Sequence, residues 1–477
     1  MDTLRQVQHL IFSHFPHTPT QGQREACQLL TEFLFDADPQ AAFLLKGYAG
    51  TGKTSLISAL IQSAPQLRIK TILLAPTGRA AKVLSGYSQR KAYTIHKKIY
   101  TTVTDASGIP HSVRAQNKHA YTLFIVDEAS MIGLEGSDAA LAGHRSLLED
   151  LIDYVQEGSH CRLLFMGDTA QLPPVGQTDS PALSADFLAS LSPLKVYEYE
   201  LTEVVRQESL SGILANATAL RQQIATLEDW DEVQMPLFSP MPDVERLNGA
   251  DLQEVLEREY SRQGHEEVTL ITRSNKSANQ YNQAIRYRIL FREEEVNAGD
   301  YLMVVRNNYH WLDAESDMGF IANGDIVEVL SLRHHEEAYG FHFVDATLRF
   351  VDYPDMPHID CKLLLETLHS ESPNLTHSES QRLFHKVMED YADIPVAAER
   401  LRLVKENPYF NALQVKFAYA LTCHKTQGGQ WSTVVIDQGY MPDDALNKDT
   451  LRWLYTAITR ATQKVYLLNF QDQFFAP

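Results

Sequence analysis

Gly47-Tyr48-Ala49-Gly50-Thr51-Gly52-Lys53-Thr54 fits the pattern G-x-x-x-x-G-K-S/T without departure. Glycines at this spacing let backbone N–H groups turn toward a phosphate, and a helix starting at the lysine adds the partial positive charge of its N-terminus. Lys53 can reach the β- and γ-phosphates, and the Thr54 hydroxyl can hold Mg²⁺. The predicted nucleotide-binding set is Gly47, Tyr48, Ala49, Gly50, Thr51, Gly52, Lys53, Thr54 and Ser55. Downstream, Asp127 and Glu128 follow the apolar run Leu123–Val126. Two carboxylates at the tip of a buried strand suit a water-mediated hold on Mg²⁺ (Asp127) and a general base for an attacking water (Glu128). Gln171 lies in a loop stiffened by Pro173 and Pro174, where a neutral amide can touch a γ-phosphate and register its loss. Gln23 can pair with donor and acceptor on an adenine edge, although taken alone it reads as an exposed residue of a helix start.

These groups need elements to hold them. Ala41–Leu45 before the glycine loop and Leu56, Ile57 and Leu60 after it predict strand, loop, helix. Residues 1–40 read as helical, with Ala26, Leu29, Leu30, Phe33 and Leu34 in one stripe. Thr71–Ala75, Leu123–Val126 and Leu163–Gly167 read as further buried parallel strands. The loops beyond the C-terminal ends of such strands are where ligands sit. Two of these regions, Pro76–Lys82 and Thr94–Lys98, offer hydroxyls, backbone N–H groups, Arg and Lys of the kind that meets a nucleic-acid backbone, though any one of these lysines reads as solvated surface charge. Residues 99–120 read as an inserted β-hairpin, with a long irregular loop as the other reading. Asp325–Leu332, Phe341–Val351 and Asp360–His369 read as short strands of a small β module. Ser378–Ala392 and Glu399–Glu406 read as helices. The apolar pattern returns at Val415–Leu421, and Trp453–Ala461 reads as a helix ending in Arg460, a position that by itself suits a helix-dipole partner.

The chain has 477 residues and a net charge of −19, so any nucleic acid must meet a local groove unlike the global field. Arg79, Lys82, Lys97, Lys98 and Lys425 are predicted to line that groove. Cys27, Cys161, Cys361 and Cys423 are scattered, which argues against zinc and a disulfide framework and suits a reducing cytoplasm. No run approaches the ~20 apolar residues of a membrane span, and no signal peptide is read at the start. No carboxylate cluster with nuclease-like spacing is found.

GYAGTGKT, APTGRAAKVL, TIHK, VDEAS, GDTAQLPPV, VVRQ, YALTCHKTQG and YTAITRA, in that order, resemble the superfamily 1B helicases of the RecD-like and Dda-like kind. The resemblance runs over most of the chain and is poorest at 210–265 and 330–410. It implies an α/β fold of two tandem RecA-like P-loop domains, with ATP and Mg²⁺ in the cleft between them and single-stranded DNA across their top. The first domain is expected at 1–200, its 99–120 hairpin acting as the pin that splits a duplex. The second is expected at 201–321 and 413–477, with 322–412 an SH3-like insertion. Residue by residue, the resemblance implies adenine reading by Gln23 and catalytic roles for Lys53, Asp127, Glu128 and Gln171. Arg206 and Arg460 match the arginines that the second domain presents to the γ-phosphate. Thr77, Gly78, Arg79, His96 and Lys97 match the DNA-contacting loops of the first domain, and His424, Thr426 and Gln427 those of the second.

The expectation is therefore an ATP-dependent DNA helicase or translocase, 5′ to 3′ by resemblance alone, acting on single strands and on duplexes with a single-stranded tail. An ATP-gated single-strand clamp or repair-complex subunit without its own unwinding, and an RNA helicase, are the other readings. A small-molecule kinase would leave Arg460 and the second half of the chain without a role.

Overall fold

The computed structural model describes residues 2–38, 40–104, 110–134, 145–203, 211–227, 233–312, 320–441 and 446–475. Its first domain is built on a six-stranded, all-parallel sheet ordered Ala92–Thr94, Lys70–Ala75, Thr122–Val126, Arg162–Gly167, Ala41–Gly47, Lys195–Leu201. The central strands are buried along nearly their whole length, as a sheet covered on both faces requires. Helix Gln21–Leu34 starts with a reciprocal cap: Thr20 Oγ1 accepts from the Gln23 N–H, and Gln23 Oε1 accepts from the Thr20 N–H. Lys53–Ser63 starts after Gly52, whose φ of 85°, like the 80° of Gly50, is comfortable only for glycine.

The second domain has a five-stranded, all-parallel sheet ordered Ala420–Thr422, Val268–Thr272, Trp431–Asp437, Ala461–Leu468, Val244–Leu247. Helix Lys448–Ile458 packs between this sheet and the first domain, and all nine residues Thr450–Ile458 are buried. Among the described residues no helix is long and apolar enough to cross a membrane.

Inserted in the second domain, between its strands Val268–Thr272 and Ala420–Thr422, is a closed five-stranded barrel of Tyr301–Val304, Ile326–Ala338, Phe341–Phe350, Ile359–Leu364 and Leu413–Phe417. Its boundaries differ from the expected 322–412, because the first and last strands lie outside that range and close the barrel on each other. The core explains this. Leu302, Val327, Leu348 and Phe417 of the barrel share one apolar cluster with Leu256, Tyr260, Leu270 and Val435 of the second domain. The third expected strand is also shorter than 360–369, since Glu366–His369 turns into helix. Tyr100–Thr104 pairs antiparallel with Pro110–Arg114, leaving the first sheet as a two-stranded ribbon, and the tip between them lies outside the described residues.

Candidate nucleotide and nucleic-acid site

The phosphate loop leaves the C-terminal end of Ala41–Gly47, and Asp127, Glu128 and Asp168 leave the corresponding ends of two other strands of the sheet. Parallel topology alone therefore brings residues from three distant stretches to one edge. Lys53 Nζ donates to Gly47 O at 2.5 Å and to Tyr48 O at 3.0 Å, so the ammonium is folded over its own loop. A side chain at Gly47 would place its Cβ 2.9 Å from Thr51 Oγ1 and 3.0 Å from Leu201 Cβ, which keeps the loop tight against the neighbouring strand.

Both oxygens of Asp127 are engaged, one by the Tyr87 hydroxyl at 2.8 Å and the other by the Glu128 N–H at 2.8 Å. Glu128 itself sits at φ 51°, a conformation rare for a residue with a side chain, and leads into the short helix Ala129–Met131. Such backbone strain concentrates at functional positions. Burial pushes the Glu128 carboxyl up to about 7, against the opposing pull of the Arg460 and Lys53 charges. Burial also raises Asp127 and Asp168 above the ordinary carboxylate range. Gln171 is buried, and its Oε1 has no hydrogen-bond partner among the described residues.

The second domain closes this edge. The Tyr455 hydroxyl lies between the Ala49 N–H and the Asp168 carboxylate. Thr456 Oγ1 accepts from the Leu172 N–H at 2.9 Å, and Gln427 Nε2 donates to Leu172 O at 2.7 Å. Arg460 is buried, donating to Thr456 O and Gly429 O, and its charge acts on both Glu128 and Asp168.

Several expected positions fall elsewhere. Gln23 is fully buried. Its Nε2 donates to Thr51 O at 3.1 Å and its Oε1 serves the helix cap, so here it braces the phosphate loop and has no amide edge facing outward. Thr426 and Gln427 do not face solvent: the Thr426 hydroxyl bonds back to Cys423 O, and Gln427 crosses to Leu172. His424 of the same turn is exposed. Arg206 lies outside the described residues.

Thr77 caps helix Gly78–Ser88 by accepting from the Ala80 N–H. Gly78 packs on the barrel, where a Cβ would sit 2.3 Å from Asp325 Oδ1, and Tyr353 donates to Gly78 O at 3.3 Å. Lys82 reaches Asp352 at 3.4 Å and Val351 O at 3.2 Å. Lys97 lines a cavity of about 350 Å³ between the first domain and the barrel, with Lys82, Tyr93, Phe320, Asp325 and Tyr353. The His96 ring is 5.7 Å from that of Tyr100. Arg79 stacks on Trp431 of the second domain. Burial lowers both Lys98 and Lys425, the latter to about 8. Of the predicted groove cations, Arg79 thus lies at the domain seam, Lys82 at the barrel contact and Lys97 at the cavity.

Sequence reasoning singled out neither Tyr455, Asp168, Tyr87 nor Trp431. Tyr455 stands in an apolar run, where an aromatic reads as core, and Trp431 opens a strand, where it reads the same way. The adjacency of Asp168 to the Gln171 loop was the one available pointer.

A phosphate loop, a carboxylate pair at a strand tip and a facing parallel sheet define a two-domain P-loop α/β protein. Residues 18–234 match the family described as AAA domain, and residues 417–468 match the UvrD-like helicase C-terminal domain. The chain is 26% identical over 433 residues to the ATP-dependent RecD2 DNA helicase of Deinococcus radiodurans, covering 89% of this chain and 46% of that one. It is 28% identical over 205 residues to the ATP-dependent DNA helicase Dda of Enterobacteria phage T4, covering 42% of each. The match thus spans less than half the length of either relative. A solved structure from a study of forked-duplex unwinding by two coordinating Pif1 helicases shares the fold, with a TM-score of 0.50 at 16% identity over 97% of this chain and 95% of that chain. The two relatives are named ATP-dependent DNA helicases, and the solved structure shares the two-domain α/β fold of this chain.

Proposed function

We propose that the chain is an ATP-dependent DNA helicase that moves 5′ to 3′ along a single strand by opening and closing the cleft between its two parallel-sheet domains. The observation that carries this is the convergence of Lys53, Asp127, Glu128 and Gln171 on one edge of the first sheet, with Arg460 of the second domain acting electrostatically on Glu128. ATP is the expected occupant. The loop geometry and the Lys53 ammonium suit a polyphosphate, and the carboxylates suit the Mg²⁺ that accompanies it. Thr54 and Asp127 would hold Mg²⁺, which when bound supplies charge neutralisation on the phosphates. Glu128, held near 7, is the group that accepts a proton from the attacking water. Arg460 stabilises charge that develops during transfer, and Arg206 is proposed to join it.

Because one domain supplies the base and the other the arginine, hydrolysis depends on closure, and closure displaces whatever strand both domains hold. We assign 1–200 to the first RecA-like domain and read the hairpin as the duplex-splitting pin. The barrel is read as SH3-like, with 201–300 and 418–477 forming the second RecA-like domain. Thr77, Arg79, His96, Lys97 and His424 are proposed strand contacts, while Gly78 packs on the barrel. RecD2 and Dda are both named DNA helicases, which favours DNA as substrate. The four buried free thiols suit a reducing cytoplasm. The test is ATP hydrolysis with and without single-stranded DNA or RNA of equal length. Stimulation by DNA above RNA is expected, and hydrolysis indifferent to both strands would overturn the reading.

A further inference from the structure

Helix Lys448–Ile458 aims one side chain out of its own domain and into the phosphate loop. The Tyr455 hydroxyl accepts from the Ala49 N–H at 2.9 Å and donates to Asp168 Oδ2 at 2.5 Å. Tyr455 is 1% exposed, so water does not compete for either bond. Burial beside Asp168 keeps the phenol well above its ordinary range, and the hydroxyl remains a proton donor. The backbone N–H groups of a phosphate loop are the ligands of phosphate oxygens. One of them is already satisfied here by a neutral oxygen from the opposite domain.

We propose that the Tyr455 hydroxyl holds the place of a phosphate oxygen on the Ala49 N–H, and that arriving nucleotide exchanges with it. This rests on the reading of residues 47–54 as an ATP site. On exchange the hydroxyl keeps Asp168 and gives up Ala49, so the competition is set by one neutral hydrogen bond. Tyr455 and Arg460 belong to one continuous run, and Arg460 Nε donates to Thr456 O. Releasing Ala49 therefore removes one of the cross-cleft bonds on the segment that carries the arginine at the moment the site fills. Tyr455 is a positioning residue that reports occupancy across the cleft. The neighbouring bond from the Leu172 N–H to Thr456 Oγ1 crosses the same seam without touching the phosphate loop, and provides an internal control.

The experiment is calorimetric titration of the full chain with MgADP, comparing wild type, Tyr455→Phe and Thr456→Val, each checked for wild-type circular dichroism. Tyr455→Phe should bind ADP about three- to ten-fold more tightly, the equilibrium effect of removing one competing neutral hydrogen bond. Thr456→Val, which loosens the seam alone, should bind as wild type does. Equal or weaker binding by Tyr455→Phe overturns the proposal, as does the same tightening in Thr456→Val, which would make the effect one of general loosening. A wild-type chain that binds no nucleotide would instead remove the ATP reading itself, so the two failures are distinguishable.

Discussion

The Arg79 guanidinium lies 3.8 Å from the centre of the Trp431 ring and donates to Gln430 O at 3.1 Å, joining the first turn of helix Gly78–Ser88 to the second domain. A partly desolvated cation over tryptophan contributes about 1 kcal/mol. Arg79→Ala should therefore lower the melting temperature by a few degrees. If Arg79 also meets a phosphate, the slope of log affinity for single-stranded DNA against log salt falls by about 1. Both changes are expected. A lowered melting temperature with an unchanged salt slope would assign Arg79 to the seam alone.

Glu128 sets the pH dependence. The carboxylate is the active form of a general base, and burial raises its pKa to about 7. Turnover should therefore fall as pH drops through about 7 and level off above 8. Glu128→Gln should reduce turnover by about 10²–10⁴-fold while nucleotide binding persists. A flat profile from pH 6 to 8.5, or robust hydrolysis by the glutamine variant, would remove Glu128 from the role.

Asp325 is a cost to the fold at neutral pH. It is buried against Gly78, its Oδ1 has no hydrogen-bond partner among the described residues, and burial raises it from 3.8 to about 7. A carboxyl whose folded pKa is raised disfavours folding as pH rises from its unfolded value, and the penalty is full above the folded one. Asp325→Asn should stabilise by about 2–4 kcal/mol at pH 8, with the gain shrinking toward pH 4. Urea denaturation at the two pH values measures it, and a gain independent of pH would contradict the account.

Asp300, unlike Asp325, is fully paired. Arg286 donates to it at 2.9 Å and Arg292 at 2.6 Å, with Asp300 fully buried and Arg286 nearly so. Asp300→Ala leaves the Arg286 charge buried without its carboxylate and should cost about 3–5 kcal/mol in urea denaturation. A loss under 1 kcal/mol would mean that Glu294 O and Asn297 Oδ1, which Arg286 also reaches, suffice.

The sequence made the first domain readable because its functional residues sit where strands end. Gly47, Asp127 and Gln171 each follow an apolar run, and parallel pairing then has only one edge on which to collect them. The barrel was harder. Tyr301–Val304 is a short apolar run and Leu413–Phe417 an alternating one; both read equally well as strands of the second sheet, and only their mutual pairing closes the barrel. Side-chain direction was harder still. Gln23 and Gln427 are the same residue type in family-like positions, yet packing turns one under the phosphate loop and the other across the seam. Tyr455 opens the YTAITRA segment but showed no role of its own, since a tyrosine among Leu451, Leu454 and Ile458 looks like core until the facing domain is in place.

The most direct test of the central claim is ATP-driven strand separation on one short DNA duplex carrying either a 5′ or a 3′ single-stranded tail. The account predicts separation of the 5′-tailed duplex alone, lost on Lys53→Ala. Separation from the 3′ tail would contradict the direction. Failure on both, with hydrolysis still stimulated by single-stranded DNA, would contradict the helicase and leave an ATP-gated clamp.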